Sequence, residues 1–103
     1  MNPKTQQQFG QYLLHNKRLI QKIVSFANIK PHELIIEIGA GLGAFTLPLA
    51  EKAGYVYAVE KDPVFVEKLY RQTEHIKYIQ VVQKDFLDFS LPREPYGVIA
   101  NIS

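Results

Sequence analysis

Four short stretches of the sequence carry residues whose types and spacing can do chemistry. The first is EIGAGLG, residues 37–43, in which Gly39, Gly41 and Gly43 follow an acidic residue, Glu37. Glycine loses more backbone freedom on folding than any other residue. Three at alternate positions therefore imply an approach to the backbone too close for a Cβ. Gly39 to Ala44 also matches the Gly-x-Gly-x-x-Ala fingerprint, where N–H groups at the start of a helix receive an anion. A phosphate or the carboxylate of an amino acid fits it equally. The second stretch ends in Glu60, a carboxylate able to accept from both ribose hydroxyls and unfavourable to a 2′-phosphate. The third is Lys84-Asp85-Phe86: Asp85 can accept from the exocyclic amine of a purine, and Phe86 can pack on its face. The fourth holds Asn101, whose amide is expensive behind an apolar strand unless it is used; its carbonyl oxygen can hold a substrate amine. Each has a plainer reading alone, since Glu60 can simply end a strand and Asp85 can simply form a turn.

What joins the four stretches is the set of elements that positions them. Asn16 is a good helix cap, and after it Leu19, Ile20, Ile23, Val24 and Ala27 recur at helical spacing, with Pro31 beyond the end. LIIEI (34–38) reads as a buried strand. A helix is expected from Ala44 to Ala53, with Pro48 near its first turn and Gly54 closing it at the C′ position. YVYAVE (55–60) is a second strand. Asp62-Pro63 then caps and starts a helix that runs through Phe65, Val66, Leu69 and Tyr70. YIQVV (78–82) and YGVIANI (96–102) are the third and fourth strands. This alternation predicts an α/β parallel sheet covered on both faces. Such sheets bind ligands beyond the C-terminal ends of their strands, where the strand order reverses. All four chemical stretches fall at strand ends. The ligand that suits them best is an adenosine with a charged amino-acid tail, S-adenosylmethionine. The competitor, a nicotinamide dinucleotide, leaves Glu37, Asp85 and Asn101 without a standard task.

Composition narrows the class. With 103 residues, 47% of them hydrophobic and 21% charged, the chain is expected to form one globular unit. No apolar run approaches the roughly 20 residues needed to span a bilayer, and no signal-peptide core precedes residue 15. The absence of cysteine removes disulfides, thiolate metal sites and cysteine nucleophiles. His15, His32 and His75 are scattered, so no metal is expected, and a cytoplasmic setting is compatible. Net charge is a mild +2 but unevenly placed. Lys4, Lys17, Arg18, Lys22 and Lys30 fall before residue 33 with no acidic residue among them, a distribution suited to a polyanion or to a solvated helix face.

Taken in order and spacing, FGQYLLHNKRLIQKIV, IEIGAGLGAFT, AVEKD, QKDFLDF and ANI resemble the ribosomal RNA adenine N6-methyltransferases. That family comprises the erythromycin-resistance methyltransferases and the housekeeping small-subunit RNA dimethyltransferases. GAGLG and HNKRLI look more like the resistance branch. The resemblance implies a Rossmann-like class I S-adenosylmethionine-dependent methyltransferase fold, of which this chain holds the first four parallel strands with flanking helices, the sheet incomplete. Residues 1–15 would form a leader and cofactor-closing segment, and 16–103 the N-terminal part of the methyltransferase domain. A C-terminal RNA-binding helical domain is expected to be absent, and the 103-residue chain alone to be inactive. By the same resemblance Gln11, Tyr12 and Leu14 close over the methionine end of the cofactor, and Gly39 and Gly41 cradle its amino acid and ribose. Glu37 supports that loop, Glu60 holds the ribose, Lys61 flanks the adenine, and Asp85 with Phe86 binds it. Asn101 resembles the first residue of the catalytic Asn-Ile/Leu-Pro-Tyr/Phe motif. Tyr12 departs from the family's usual Asn or His, and Ser103 stands in place of the motif's proline. The implied partner is ribosomal RNA, with no membrane and no metal, and with a monomeric full-length protein. Two other readings stay open: a non-catalytic cofactor- or RNA-binding module, and a fragment of a nicotinamide-dependent oxidoreductase.

Overall fold

The computed structural model describes residues 16–100. Helix α1 spans Lys17–Phe26, started by the Asn16 side chain, which accepts from the Leu19 N–H at 3.1 Å. It stops at Phe26, one residue before the expected Ala27, and the chain reverses through Asn28 in the left-handed region (φ 52°), where asparagine is tolerated. Strand β1 is Leu34–Ile38, helix α2 Thr46–Lys52, strand β2 Tyr55–Glu60 and helix α3 Pro63–Thr73. Strand β3 is Ile79–Gln83, a single 3-10 turn covers Phe86–Asp88, and β4 is Gly97–Ala100. Asp62 caps α3 as anticipated, its side chain accepting from the Val64 N–H at 2.9 Å.

The four strands are all parallel, in the order β3-β2-β1-β4. Register places Ile35, Val56 and Ile79 side by side, and Glu37, Ala58 and Val81 two residues further along on the same face. All three helices pack there. Ile20 and Val24 of α1 and Leu49 and Ala50 of α2 bury against Ile35, Val56 and Ile79, while Leu69 of α3 packs with Ala58 and Val81.

Helical cover on both faces, expected from the alternation, is therefore not found among the described residues, and topology gives the reason. The β1–β2 and β2–β3 crossovers step in one direction across the sheet. The β3–β4 connection steps back. With right-handed crossovers the first two helices must share a face, and the return must cross the other. That return, residues 84–96, contains Pro92 and Pro95, which deny it a continuous helix. It crosses as an irregular strap, with the Phe89 ring 5.9 Å from Tyr57, which lies 5.2 Å from Tyr55.

Two boundaries move for local reasons. The helix expected from Ala44 starts at Thr46, because Ala44 and Phe45 form a turn leading out of the glycine loop. Gly54 is not a left-handed C′ cap; the glycines with positive φ among the described residues are Gly39, Gly41 and Gly43. Gly54 is needed for space: a Cβ there would lie 2.7 Å from the Pro31 carbonyl oxygen. The third strand also runs one residue later than expected, and of the fourth only 97–100 falls within the described residues.

Candidate functional site

The glycine loop is built by the end of β2. The Gly39 and Ala40 N–H groups both donate to the Val59 carbonyl oxygen, at 2.9 and 3.2 Å, so the chain leaving β1 folds over its neighbour. Gly39 (φ 72°) and Gly41 (φ 55°) adopt left-handed conformations that disfavour side chains. Gly43 serves a different purpose. A Cβ there would come 2.8 Å from Leu69 Cδ1, so this glycine admits α3 against the loop. All three glycines follow a left-handed path (Gly43 at φ 85°), and Gly43 is held by packing against Leu69 as well, while the surface at Gly39 and Gly41 is left bare.

Glu60 locks that loop. Its side chain is 8% exposed; Oε1 accepts from the Gly41 N–H at 2.8 Å and Oε2 from the Asp62 N–H at 2.9 Å. A carboxylate has about four acceptor sites, so roughly half its capacity stays open. The Lys84 N–H donates to the Glu60 carbonyl oxygen at 3.1 Å, tying the end of β3 to the same corner.

A cavity of about 340 Å³ opens at these strand ends, lined by Gly39, Glu60, Lys61, Asp85 and Phe86. Five residues singled out from sequence thus meet in one place, and Gly41 joins them through Glu60. Asp85 accepts from the Leu87 N–H at 3.1 Å, and its other oxygen has no partner among the described residues. Gln11, Tyr12, Leu14 and Asn101 lie outside the described residues. Phe65, Lys84 and Asp62 also line the cavity, without having been marked as site residues. Phe65 reads in sequence as part of the apolar stripe of α3. What distinguishes it is its place in the first turn after a strand end, which overhangs the ligand edge. A larger cavity, about 750 Å³, lies at the opposite ends of the strands between Leu34, Tyr55, Tyr57 and Tyr96. Glu33, Glu94 and His32 line it too, but it touches neither the glycine loop nor the acids at the C-terminal strand ends, so the smaller cavity, where those groups converge, is the functional candidate.

Beneath the loop, Glu37 is fully buried. Thr46 Oγ1, on the first residue of α2, donates to its Oε1 at 2.6 Å, while Oε2 has no hydrogen-bond partner among the described residues. Burial pushes its carboxyl pKa up from 4.5 to about 7, the Thr46 bond opposing the rise and the charge of Glu60 adding to it. A carboxyl whose folded pKa lies above its unfolded value contributes stability that is full below the unfolded value. That stability is lost as pH climbs through the folded one. The window here runs from 4.5 to about 7, and ionisation above it costs on the order of 3 kcal/mol. Glu37→Gln, which keeps an oxygen for Thr46, is expected to be more stable than the parent at pH 8 and to flatten the decline between pH 5 and 7. Urea denaturation across that range measures it, and parallel pH profiles for the two proteins would exclude a titrating Glu37.

Among the described residues, no helix is long and apolar enough to cross a membrane, and no cluster of three or more side chains suits a metal ion. Residues 2–103 match the family described as ribosomal RNA adenine dimethylase. The chain is 44% identical over 93 residues to an rRNA adenine N-6-methyltransferase of Bacillus licheniformis, a match covering 90% of this chain and 32% of the relative. It is 40% identical over 84 residues to a probable ribosomal RNA small subunit methyltransferase A of Methanosphaera stadtmanae, covering 80% and 31%. Among solved structures, the 23S rRNA methyltransferase ErmE superimposes with a TM-score of 0.79 at 30% identity, covering 86% of this chain and 36% of that one. A tRNA (m1A58) methyltransferase, TrmI of Aquifex aeolicus, shares the fold at 22% identity (TM-score 0.73, covering 81% and 35%). The chain spans about a third of the length of the curated relatives it matches. The architecture is the Rossmann-like class I methyltransferase fold, here as four parallel strands in an open sheet.

Proposed function

Because the chain belongs to the ribosomal RNA adenine dimethylase family, we propose that its strand-end cavity binds S-adenosylmethionine for methyl transfer to an adenine N6 of ribosomal RNA. The observation that carries this reading is Glu60. Its carboxylate fixes the bare Gly39–Gly41 loop through the Gly41 N–H and keeps acceptor capacity at a cavity shared with Lys61, Asp85 and Phe86. That is the donor and acceptor pattern of an adenosine site. Glu60 accepts from the ribose hydroxyls, Asp85 from the adenine amine, and Phe86 covers the base. Gly39 and Gly41 leave the backbone bare for the amino-acid end, and Gln11, Tyr12 and Leu14 close over it. Glu37, tied to Thr46, keeps β1 and α2 in step on either side of the loop.

When bound, the cofactor supplies an electrophilic methyl group on a sulfonium. The target N6 is a poor nucleophile because its lone pair is delocalised into the ring. The Asn101 side-chain oxygen accepts one of the amine's hydrogens and a backbone carbonyl the other, which draws the nitrogen toward a tetrahedral shape. In the in-line displacement the N6–carbon bond would form as the sulfur–methyl bond breaks, with S-adenosylhomocysteine as the leaving group. The methylated nitrogen, then positively charged and strongly acidic, would lose its proton to water, so positioning supplies much of the rate and no dedicated general base is required.

The likeness to ErmE, a 23S rRNA methyltransferase, together with the GAGLG and HNKRLI stretches, supports a large-subunit target and the macrolide-resistance branch. The small-subunit dimethyltransferases remain the alternative, supported by the Methanosphaera relative. A thermal-shift titration tests the cofactor: S-adenosylhomocysteine is expected to raise the melting temperature and NAD to leave it unchanged, and the reverse would refute the reading. Tritiated-methyl transfer to purified 23S and 16S rRNA by a version extended through the remaining strands and helical domain, followed by nucleoside analysis, separates the two branches.

A further inference from the structure

Helix α1 carries its charges against its own dipole. The N-terminus of a helix is its positive end and favours acidic side chains. The first turn of α1 nevertheless holds Lys17 and Arg18 with no acidic residue, and its last turn holds no basic one. Helix α3 shows the ordinary arrangement, with Arg71 in its last turn paired to Glu67 at 2.8 Å. That pair is the only ion pair among the described residues.

Lys17, Arg18, Gln21, Lys22 and Ser25 are all exposed; Arg18 and Lys22, one turn apart, lie on the arc opposite the buried Ile20 and Val24, while Lys17 opens the helix at the margin of that arc. The sequence offers these cations no acidic neighbour before Glu33. Three exposed cations with no ion pair among the described residues, two of them at the disfavoured end, do not stabilise the helix that bears them. Their placement is explained by an anion from outside the chain. Several cations spread along one face, with hydrogen-bonding Gln21 and Ser25 among them, suit a chain of phosphates better than one small ion.

We propose that the solvent face of α1 is a docking surface for the RNA backbone, with Lys17, Arg18 and Lys22 each neutralising a phosphate. This rests on the rRNA reading above and names a surface through which that substrate is held, apart from the cofactor cavity. Contacts of this kind position the RNA without reading its sequence.

The test compares the parent chain, the triple variant Lys17→Gln/Arg18→Gln/Lys22→Gln, and a charge-matched control, Lys52→Gln/Lys68→Gln/Lys77→Gln. All six side chains are exposed, and circular dichroism verifies folding. Binding of a fluorescein-labelled RNA hairpin is titrated across salt concentrations, with S-adenosylhomocysteine binding measured alongside. Each phosphate contact contributes roughly 0.7–0.9 to the slope of log K against log salt. The α1 variant is expected to lose about two units of slope and roughly ten-fold or more in affinity near 0.15 M salt. The control should change little, and all three proteins should bind S-adenosylhomocysteine alike. Equal losses in both variants, or none in the α1 variant while the parent binds RNA, would overturn the surface and leave the rRNA reading intact. A parent chain that binds S-adenosylhomocysteine but no RNA at low salt would likewise overturn the surface, while the rRNA reading is decided separately by methyl transfer with the extended version. Equal affinity of the parent for anionic phosphatidylserine vesicles, lost in the same variant, would also overturn the RNA assignment.

Discussion

Replacing Glu60 with alanine is expected to lower S-adenosylhomocysteine affinity by ten-fold or more and to loosen the glycine loop in the absence of any ligand. The two effects have one origin. The carboxylate accepts from Gly41 and Asp62 through separate oxygens, and hydrogen bonds to charged groups are worth about 1.5–3 kcal/mol each. Alanine leaves both amides to water and removes the acceptor assigned to the ribose; losing one such bond to the ligand corresponds to roughly ten-fold or more in affinity. Glu60→Gln separates the contributions. Its oxygen can still accept from one amide, but its NH₂ group cannot accept from the other and carries no charge. It should retain more stability than alanine while losing most of the affinity. A 2′-deoxy analogue of S-adenosylhomocysteine completes the argument. The parent should discriminate against it and Glu60→Ala should not. Calorimetric titration showing unchanged affinity in Glu60→Ala, or equal discrimination in both proteins, would remove the ribose assignment.

The same replacement reaches Glu37. Part of the rise in the Glu37 pKa comes from the charge of Glu60, so Glu60→Ala should bring the pKa down and narrow the pH window over which the fold loses stability. The two acids sit at the ends of paired strands and meet different fates. Glu60 has two backbone amides and stays near solvent at the cavity; Glu37 has one hydroxyl and an unpartnered oxygen deep under the loop.

How far this was legible in the sequence depends on which forces act locally. The β1 and β2 boundaries coincide with the apolar runs LIIEI and YVYAVE, because a buried parallel strand is continuous apolar sequence between turn residues. Asn16 and Asp62 cap as their types demand. The meeting of Gly39, Glu60, Lys61, Asp85 and Phe86 at one cavity followed from a topological rule about strand ends. What escaped was set by contacts distant in sequence. The strap that replaces a helix on the second face follows from the direction in which β3 connects back to β4 and from Pro92 and Pro95 within it, and a pattern of alternating elements does not carry that direction. Gly43 meets Leu69 in addition to its left-handed backbone, and Phe65 lines the cavity because α3 begins right at a strand end. Local propensity sees neither partner.

Gly54 gives the sharpest instance and the second large effect. Read locally, it is a helix terminator and Gly41 is the residue a ligand demands, which makes Gly41 the more delicate of the two. Space reverses the order for stability. A Cβ on Gly54 would lie 2.7 Å from the Pro31 oxygen and 3.2 Å from the His32 carbonyl carbon. Those are backbone atoms, which cannot swing aside as a side chain can. The Gly54 and Tyr55 N–H groups both donate to the Glu33 oxygen, at 2.9 and 3.2 Å, so displacing this turn also strains the junction that starts β1 and β2. Overpacking of this kind costs about 1–3 kcal/mol. A Cβ on Gly41 would meet only the Gly39 oxygen at 3.8 Å. Its penalty is the left-handed conformation, about 1–2 kcal/mol, partly offset by a stiffer unfolded chain. Gly54→Ala is therefore expected to lower the urea midpoint more than Gly41→Ala does. Ligand binding should rank them the other way: Gly41→Ala alters the bare loop and weakens S-adenosylhomocysteine, whereas folded Gly54→Ala, at the far ends of the strands, binds it like the parent. If Gly41→Ala proves the more destabilising and leaves ligand affinity untouched, the packing role of Gly54 and the ligand-facing role of Gly41 are both wrong.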